Sequence, residues 1–126
     1  MFEPSKSLTD LIVWQKAHEF VLEVYKVTRD YPMEERFALC SQFQRAAVSI
    51  PANIAEGYKK LSKADKLRFL NISQGSLEEC RYYIILSRDL SYISVKTNNE
   101  LTGTLEEVSK LLNSYIRGVM SKQFVE

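Results

Sequence analysis

An all-α, antiparallel up-down-up-down four-helix bundle is the architecture this chain predicts, and three observations carry it. Four long segments repeat apolar residues every three or four positions, as amphipathic helices do. The connections between those segments are short, which forces neighbouring helices to run antiparallel. No segment sustains the alternation of a strand, and 4 Gly with 3 Pro in 126 residues leave little material for tight β-turns.

The first helix is predicted over about residues 12–30, on the stripe Trp14, Ala17, Val21, Val24, Tyr25 and Thr28. It should stop at Tyr31-Pro32, because a proline drives the residue before it out of the α region. The second helix, about 34–59, opens on Glu34 and Glu35, which suit the positive end of a helix dipole. Its stripe is Phe43, Ala47, Ile50 and Ile54. Pro51 sits inside it, yet the period carries on to Tyr58, so a bend is expected rather than an end.

The third helix, about 63–91, begins with Ser62 as cap and Asp65 reaching back. Leu70, Leu77, Cys80, Ile84, Leu86 and Leu90 form its stripe. The fourth, about 98–122, opens on Thr97-Asn98-Asn99-Glu100 by the same capping logic. Leu101, Leu105, Val108, Leu112, Tyr115 and Val119 then alternate spacings of four and three, the seam of a bundle helix, and Gly103 and Gly118 are tolerable near its ends.

The length sets one domain, residues 1–126, around one core. A hydrophobic content of 45% against 26% charged residues excludes disorder. The opening MFEPSKSLTD lacks the apolar run of a secretion signal, and no segment is apolar for long enough to span a bilayer. Cys40 and Cys80 lack any motif spacing and read as buried thiols rather than a disulfide or metal site. A cytoplasmic protein without membrane contact is expected. Its formal charge of +1 gives no global attraction to nucleic acid, so such binding would need a local patch.

Two local features carry functional readings. Beside the apolar stripe of the second helix runs a polar one: Gln42, Arg45, Ser49, Asn53 and Glu56. It is either a binding surface, with Arg45 facing a phosphate or carboxylate, or an internal network fixing helix register. In the internal reading its partners are Ser73, Ser76 and Glu79 on the third helix. Arg45 would then form a buried pair with Glu79 or Glu56, while Ser73, Gly75 and Ser76 let the two helices approach closely. The second feature is basic: Lys59, Lys60, Lys63, Lys66 and Arg68 within ten residues, opposed only by Asp65. It is either a solvated helix start or a contact for RNA or DNA, amplified if a ring repeats it, with Tyr58 placed to stack on a base.

Trp14 and Tyr25 are expected in the core, and Tyr82 and Tyr92 at subunit contacts. Catalysis has no support. One histidine, His18, cannot supply paired di-iron ligands, no Cys/His cluster suits zinc, and no phosphate loop or dinucleotide fingerprint appears. No catalytic residue, metal, cofactor or small-molecule substrate is expected.

Three blocks are distinctive: LIVWQKAHEFVLEVYKVTRDYP (11–32), QRAAVSIPANIAEGYKKLSKADKLRFL (44–70) and GSLEECRYYIILSRDLSYIS (75–94). In these the chain resembles the bacterial four-helix-bundle proteins encoded within intervening sequences of 23S ribosomal RNA genes and at other chromosomal sites. The resemblance implies a bundle that assembles into a ring-like homo-oligomer, a pentamer, without established enzymatic activity. Related bundles act as accessory proteins to the reverse transcriptases of diversity-generating retroelements, binding nucleic acid and the polymerase through a basic pentameric barrel. The present chain departs from them in its near-neutral charge. The resemblance thus implies an oligomeric binding or scaffold module for RNA, DNA or a nucleic-acid enzyme. The alternative is a protein–protein adaptor that touches no nucleic acid.

Overall fold

The computed structural model describes residues 7–122. Residues 1–6 and 123–126, which fall in the predicted single domain and include most of the opening segment tested for a signal, lie outside it. Four helices carry the fold: α1 (Ile12–Thr28), α2 (Leu39–Lys59), α3 (Lys63–Asp89) and α4 (Val95–Ser121). Each packs substantially only on its neighbours in the cycle α1–α2–α3–α4–α1, so the helices stand at the corners of a square. No strand occurs among the described residues, and none of their helices is long and apolar enough to cross a membrane.

The predicted stripes meet at the centre of that square. Phe43, Ala47, Ile50 and Ile54 of α2 are fully buried against Ala17, Val24, Leu70, Cys80, Leu101, Leu105, Val108 and Leu112. Leu86 and Tyr115 are half-buried at the core margin, and three further stripe residues depart from the pattern. Tyr25 is exposed because it lies a full 100° around the helix from Val24. Trp14 is half-buried at the core margin and stacks on His18 at 5.3 Å. Leu90, the C-cap of α3, has left the packed region and is exposed.

Boundaries shift where local chemistry differs from the expected pattern. The helix foreseen from Glu34 starts at Leu39: Met33–Glu35 form a single 3-10 turn, and Ala38 adopts a non-helical conformation. Glu35 still serves the helix end, its carboxylate accepting from the Leu39 N–H at 3.4 Å. α4 starts at Val95 rather than near Asn98, since the Ser94 hydroxyl, not Thr97, is the cap and accepts from the Thr97 N–H at 3.0 Å. Ser62 caps α3 as expected, accepting from the Asp65 N–H at 3.2 Å. α2 continues through Pro51, and one residue earlier the Ile50 carbonyl accepts the Ser73 hydroxyl at 2.9 Å.

Candidate functional site

The polar seam splits in two along its width. Its inner half binds α2 to α3. Ser73 and Ser76 are buried; Ser76 Oγ lies 2.7 Å from Ser49 Oγ, and the Asn53 amide donates to that Ser49 oxygen at 3.0 Å and to the Ser49 carbonyl at 2.9 Å. Small hydroxyls satisfy one another here, in the most extensive helix pairing in the molecule. The outer half faces water. Gln42, Arg45, Glu56 and Glu79 are exposed. Tyr83 donates to Gln42 at 3.0 Å and approaches Glu79 at 3.4 Å, and Glu56 pairs with Lys60 at 3.9 Å.

The buried Arg45–Glu79 or Arg45–Glu56 pair does not form: among the described residues Arg45 has no ion pair, because it projects away from the α2–α3 contact into solvent. Gly75 also lies outside that contact, with nothing within 4 Å of where a Cβ would stand. The glycine at the close approach is Gly57, whose added Cβ would meet the Lys66 carbonyl oxygen at 3.2 Å. The signal was present in AEGY, where Gly57 continues the stripe of Ile50 and Ile54.

The five cations cluster at the end of the bundle where α2 and α4 terminate. A helix C-terminus exposes unpaired carbonyls and about half a negative charge. Lys63 donates to the Met120 carbonyl at 2.8 Å, closing α4. Lys66 donates to Tyr58 at 2.9 Å and Gly57 at 3.3 Å, closing α2, and burial together with nearby Lys122 holds its pKa below the usual lysine value. Lys60 and Arg68 lie over the Phe69 ring at 5.1 and 4.5 Å, and Arg68 also meets Asp65 at 3.6 Å. Lys59 is exposed and makes no ion pair among the described residues, and Tyr58 is half-buried. Most of this charge is matched within the fold.

At the opposite end the sequence pointed to Tyr92 as a subunit contact. Inside it, Tyr31 donates to Ser87 at 2.7 Å, Tyr92 donates to Glu35 at 2.8 Å, and the two rings pack at 5.3 Å. Tyr92 is thus held within the chain, while Tyr82 is exposed. Gln44 donates to Thr28 at 3.0 Å, and Cys40 lies against the Thr28 carbonyl. Both cysteines are free and buried; burial raises each thiol's pKa, that of Cys80 to about 12.

Outside this network large apolar side chains are exposed. Phe37 is 87% exposed and Met33 79%, and with Leu22, Tyr25 and Val48 they run down the α1–α2 side. A cleft of about 500 Å³ opens there between Tyr25, Pro32, Phe37 and Gln44. Its charged lining residues are Arg29 and Arg36. Among the described residues neither they nor the neighbouring Arg45 makes an ion pair. A signal existed: Leu22, Phe37 and Val48 fall outside both predicted stripes.

The other sides are stitched by polar pairs. Lys16–Glu107 at 3.2 Å and Thr104–Glu23 at 2.7 Å join α1 to α4, and Arg81–Glu106 and Gln74–Asn113 join α3 to α4. Among the described residues no cluster of His, Cys, Asp and Glu is placed to hold a metal ion.

Comparison with known proteins fits this bundle. A crystal structure from Bacteroides thetaiotaomicron, of a protein of unknown function from the S23 ribosomal protein family, superposes with a TM-score of 0.78. It is 29% identical, over 84% of this chain and 96% of that one. No curated protein matches. The family model for the 23S rRNA-intervening sequence protein matches residues 9–114. Together with the four-helix architecture, that match over most of the length identifies the chain as a member of the 23S rRNA-intervening sequence protein family.

Proposed function

We propose that this chain is a non-enzymatic helical scaffold that assembles with copies of itself into a ring-like homo-oligomer, the pentamer implied by the family resemblance. The observation that carries the reading is the α1–α2 side. Interfaces are enriched in Phe, Tyr, Met and Arg and depleted of Lys, Glu and Asp. Phe37, Met33 and Tyr25 line one cleft with Arg29 and Arg36, and the exposed Leu22 and Val48 stand on the same two helices, which follows that composition. Light scattering tests it: a multiple of 14.6 kDa is expected, and the single-chain mass alone overturns self-assembly. In that event the same face serves a different protein, the adaptor reading, and co-purification from the native cell identifies the partner.

Nucleic-acid binding is the second reading, favoured by one observation: Lys59 is exposed and makes no ion pair among the described residues, beside Lys60 and Arg68. A ring would repeat that group around its axis. A gel-shift titration with structured RNA at low and moderate salt decides it. Phosphate contacts are strongest at low salt, so no shift there removes this reading.

A further inference from the structure

We propose that the end of the bundle where α2 and α4 terminate docks on an anionic lipid surface, with Leu61 entering the boundary between headgroups and acyl chains. This end is a different part of the molecule from the α1–α2 side.

Antiparallel neighbours bring the starts of α1 and α3 together here with the ends of α2 and α4. Leu61, in the α2–α3 connection, is 85% exposed. Ile12 at the start of α1 and Met120 at the end of α4 are also exposed. The bond from Lys63 to the Met120 carbonyl holds the connection beside the α4 terminus. In the run KKLSK, Leu61 stands between Lys60 and Lys63, an aliphatic tip set among cations. That is the composition by which proteins rest on a lipid surface without crossing it, and none of the described helices is long and apolar enough to cross.

The charge of this end is positive in sum. Lys59, Lys60, Lys63, Lys66, Arg68 and Lys122 are set against Asp10, Glu56 and Asp65. A neutral carbonyl satisfies the donors of Lys63 and Lys66 and leaves their charge in place. Helix dipoles do not offset it, because helix starts and helix ends meet here in equal number. The opposite end also exposes apolar side chains, but there Arg29 and Arg36 are interleaved with Asp30, Glu34, Glu35 and Asp89. Those carboxylates oppose an anionic surface.

What accompanies the cations separates lipid from nucleic acid. A polynucleotide offers phosphates and flat bases, and bases call for aromatic rings to stack on. Here the Phe69 ring is already covered by Lys60 and Arg68, and Tyr58 is half-buried. The exposed side chains beside the cations are aliphatic, and acyl chains give them an apolar surrounding that a phosphate backbone does not.

Co-sedimentation with phosphatidylcholine vesicles, with and without phosphatidylserine, tests the proposal at low and moderate salt. Binding to the phosphatidylserine vesicles alone, weakening as salt rises, is expected. Leu61→Ser should weaken it about tenfold, as loss of one inserted leucine does, with helical content unchanged. Lys59→Gln should weaken it about fivefold. Arg36→Gln, at the opposite end, should leave it unchanged. No sedimentation at low salt overturns the inference, whether or not a gel shift shows that the same end holds structured RNA. Full affinity in Leu61→Ser overturns it too, since the contact would then be charge alone. An equal loss in Arg36→Gln overturns the assignment to this end. Light scattering of the vesicle-free sample reports self-assembly separately, so failure of either reading is seen without the other.

Discussion

The two ends of this bundle both carry cations and use them differently. At the end where α2 and α4 terminate, lysines are numerous, but Lys63 and Lys66 are bonded to helix-terminal carbonyls and Arg68 is paired and stacked. At the other end the cations are fewer, yet among the described residues Arg29 and Arg36 make no ion pair, and Arg36 lies over the exposed Phe37 ring at 5.4 Å. A count of charges finds the first end; the partners of each charge find the second. The binding potential of a surface follows from the groups the fold leaves unmatched.

The largest test separates the inner network of the arginine end from its outer surface. Tyr31→Ala removes a ring packed on Tyr92, Leu39 and Cys40 and orphans the Ser87 hydroxyl, so it should cost about 3 kcal/mol in denaturant unfolding. Tyr31→Phe keeps the ring and should cost about 1 kcal/mol. A negligible cost for both would mean that this end is not held as described.

The lysine end is tested next. Lys63→Ala and Lys66→Ala should each lower stability by about 1 kcal/mol, since each strips donors from a helix C-terminus. Unchanged melting together with weakened, salt-sensitive RNA retention would reverse the comparison and make this the binding end.

The thiols report whether either region opens. Cys40 and Cys80 should both resist alkylation in the native protein at neutral pH and react in denaturant, because burial disfavours the thiolate. Labelling of Cys40 before Cys80 would show the Tyr31 end opening ahead of the core.

The smallest effect lies on the α1–α4 side. Burial raises the pKa of Glu23 above its ordinary 4.5, even though Thr104 donates to the carboxylate. A raised acid contributes stability below its unfolded value that is lost as pH rises through the folded one. Glu23→Gln should therefore stabilise at pH 7 by about 0.3 kcal/mol, discounted for partial exposure, and the gain should vanish below about pH 4. An equal gain at both pH values would exclude the carboxylate's charge as the cause.

Much of this was legible before the structure. Helix existence followed from period alone, because a stripe such as Phe43, Ala47, Ile50 and Ile54 has one way to bury itself. Boundaries were less legible: nothing local says that Ser94 will outcompete Thr97 as a cap. The seam's inner half was read with its partners Ser73 and Ser76, since small hydroxyls at helical spacing on two segments imply a close pair. Its outer half was not, since Arg45 has the same spacing whether it faces a helix or water.

Sequence by itself determined the helices, their antiparallel order, the core and the family, because these depend on residue type and spacing along the chain. Only the tertiary structure decided which polar groups are free. Lys63 meets a carbonyl 57 residues away, and Tyr31 a serine 56 residues away. Such pairings depend on how the helices are turned about their axes in the square, which no local pattern records. That rotation left most of the lysine cluster matched and set Phe37 outward beside Arg29 and Arg36, which make no ion pair among the described residues.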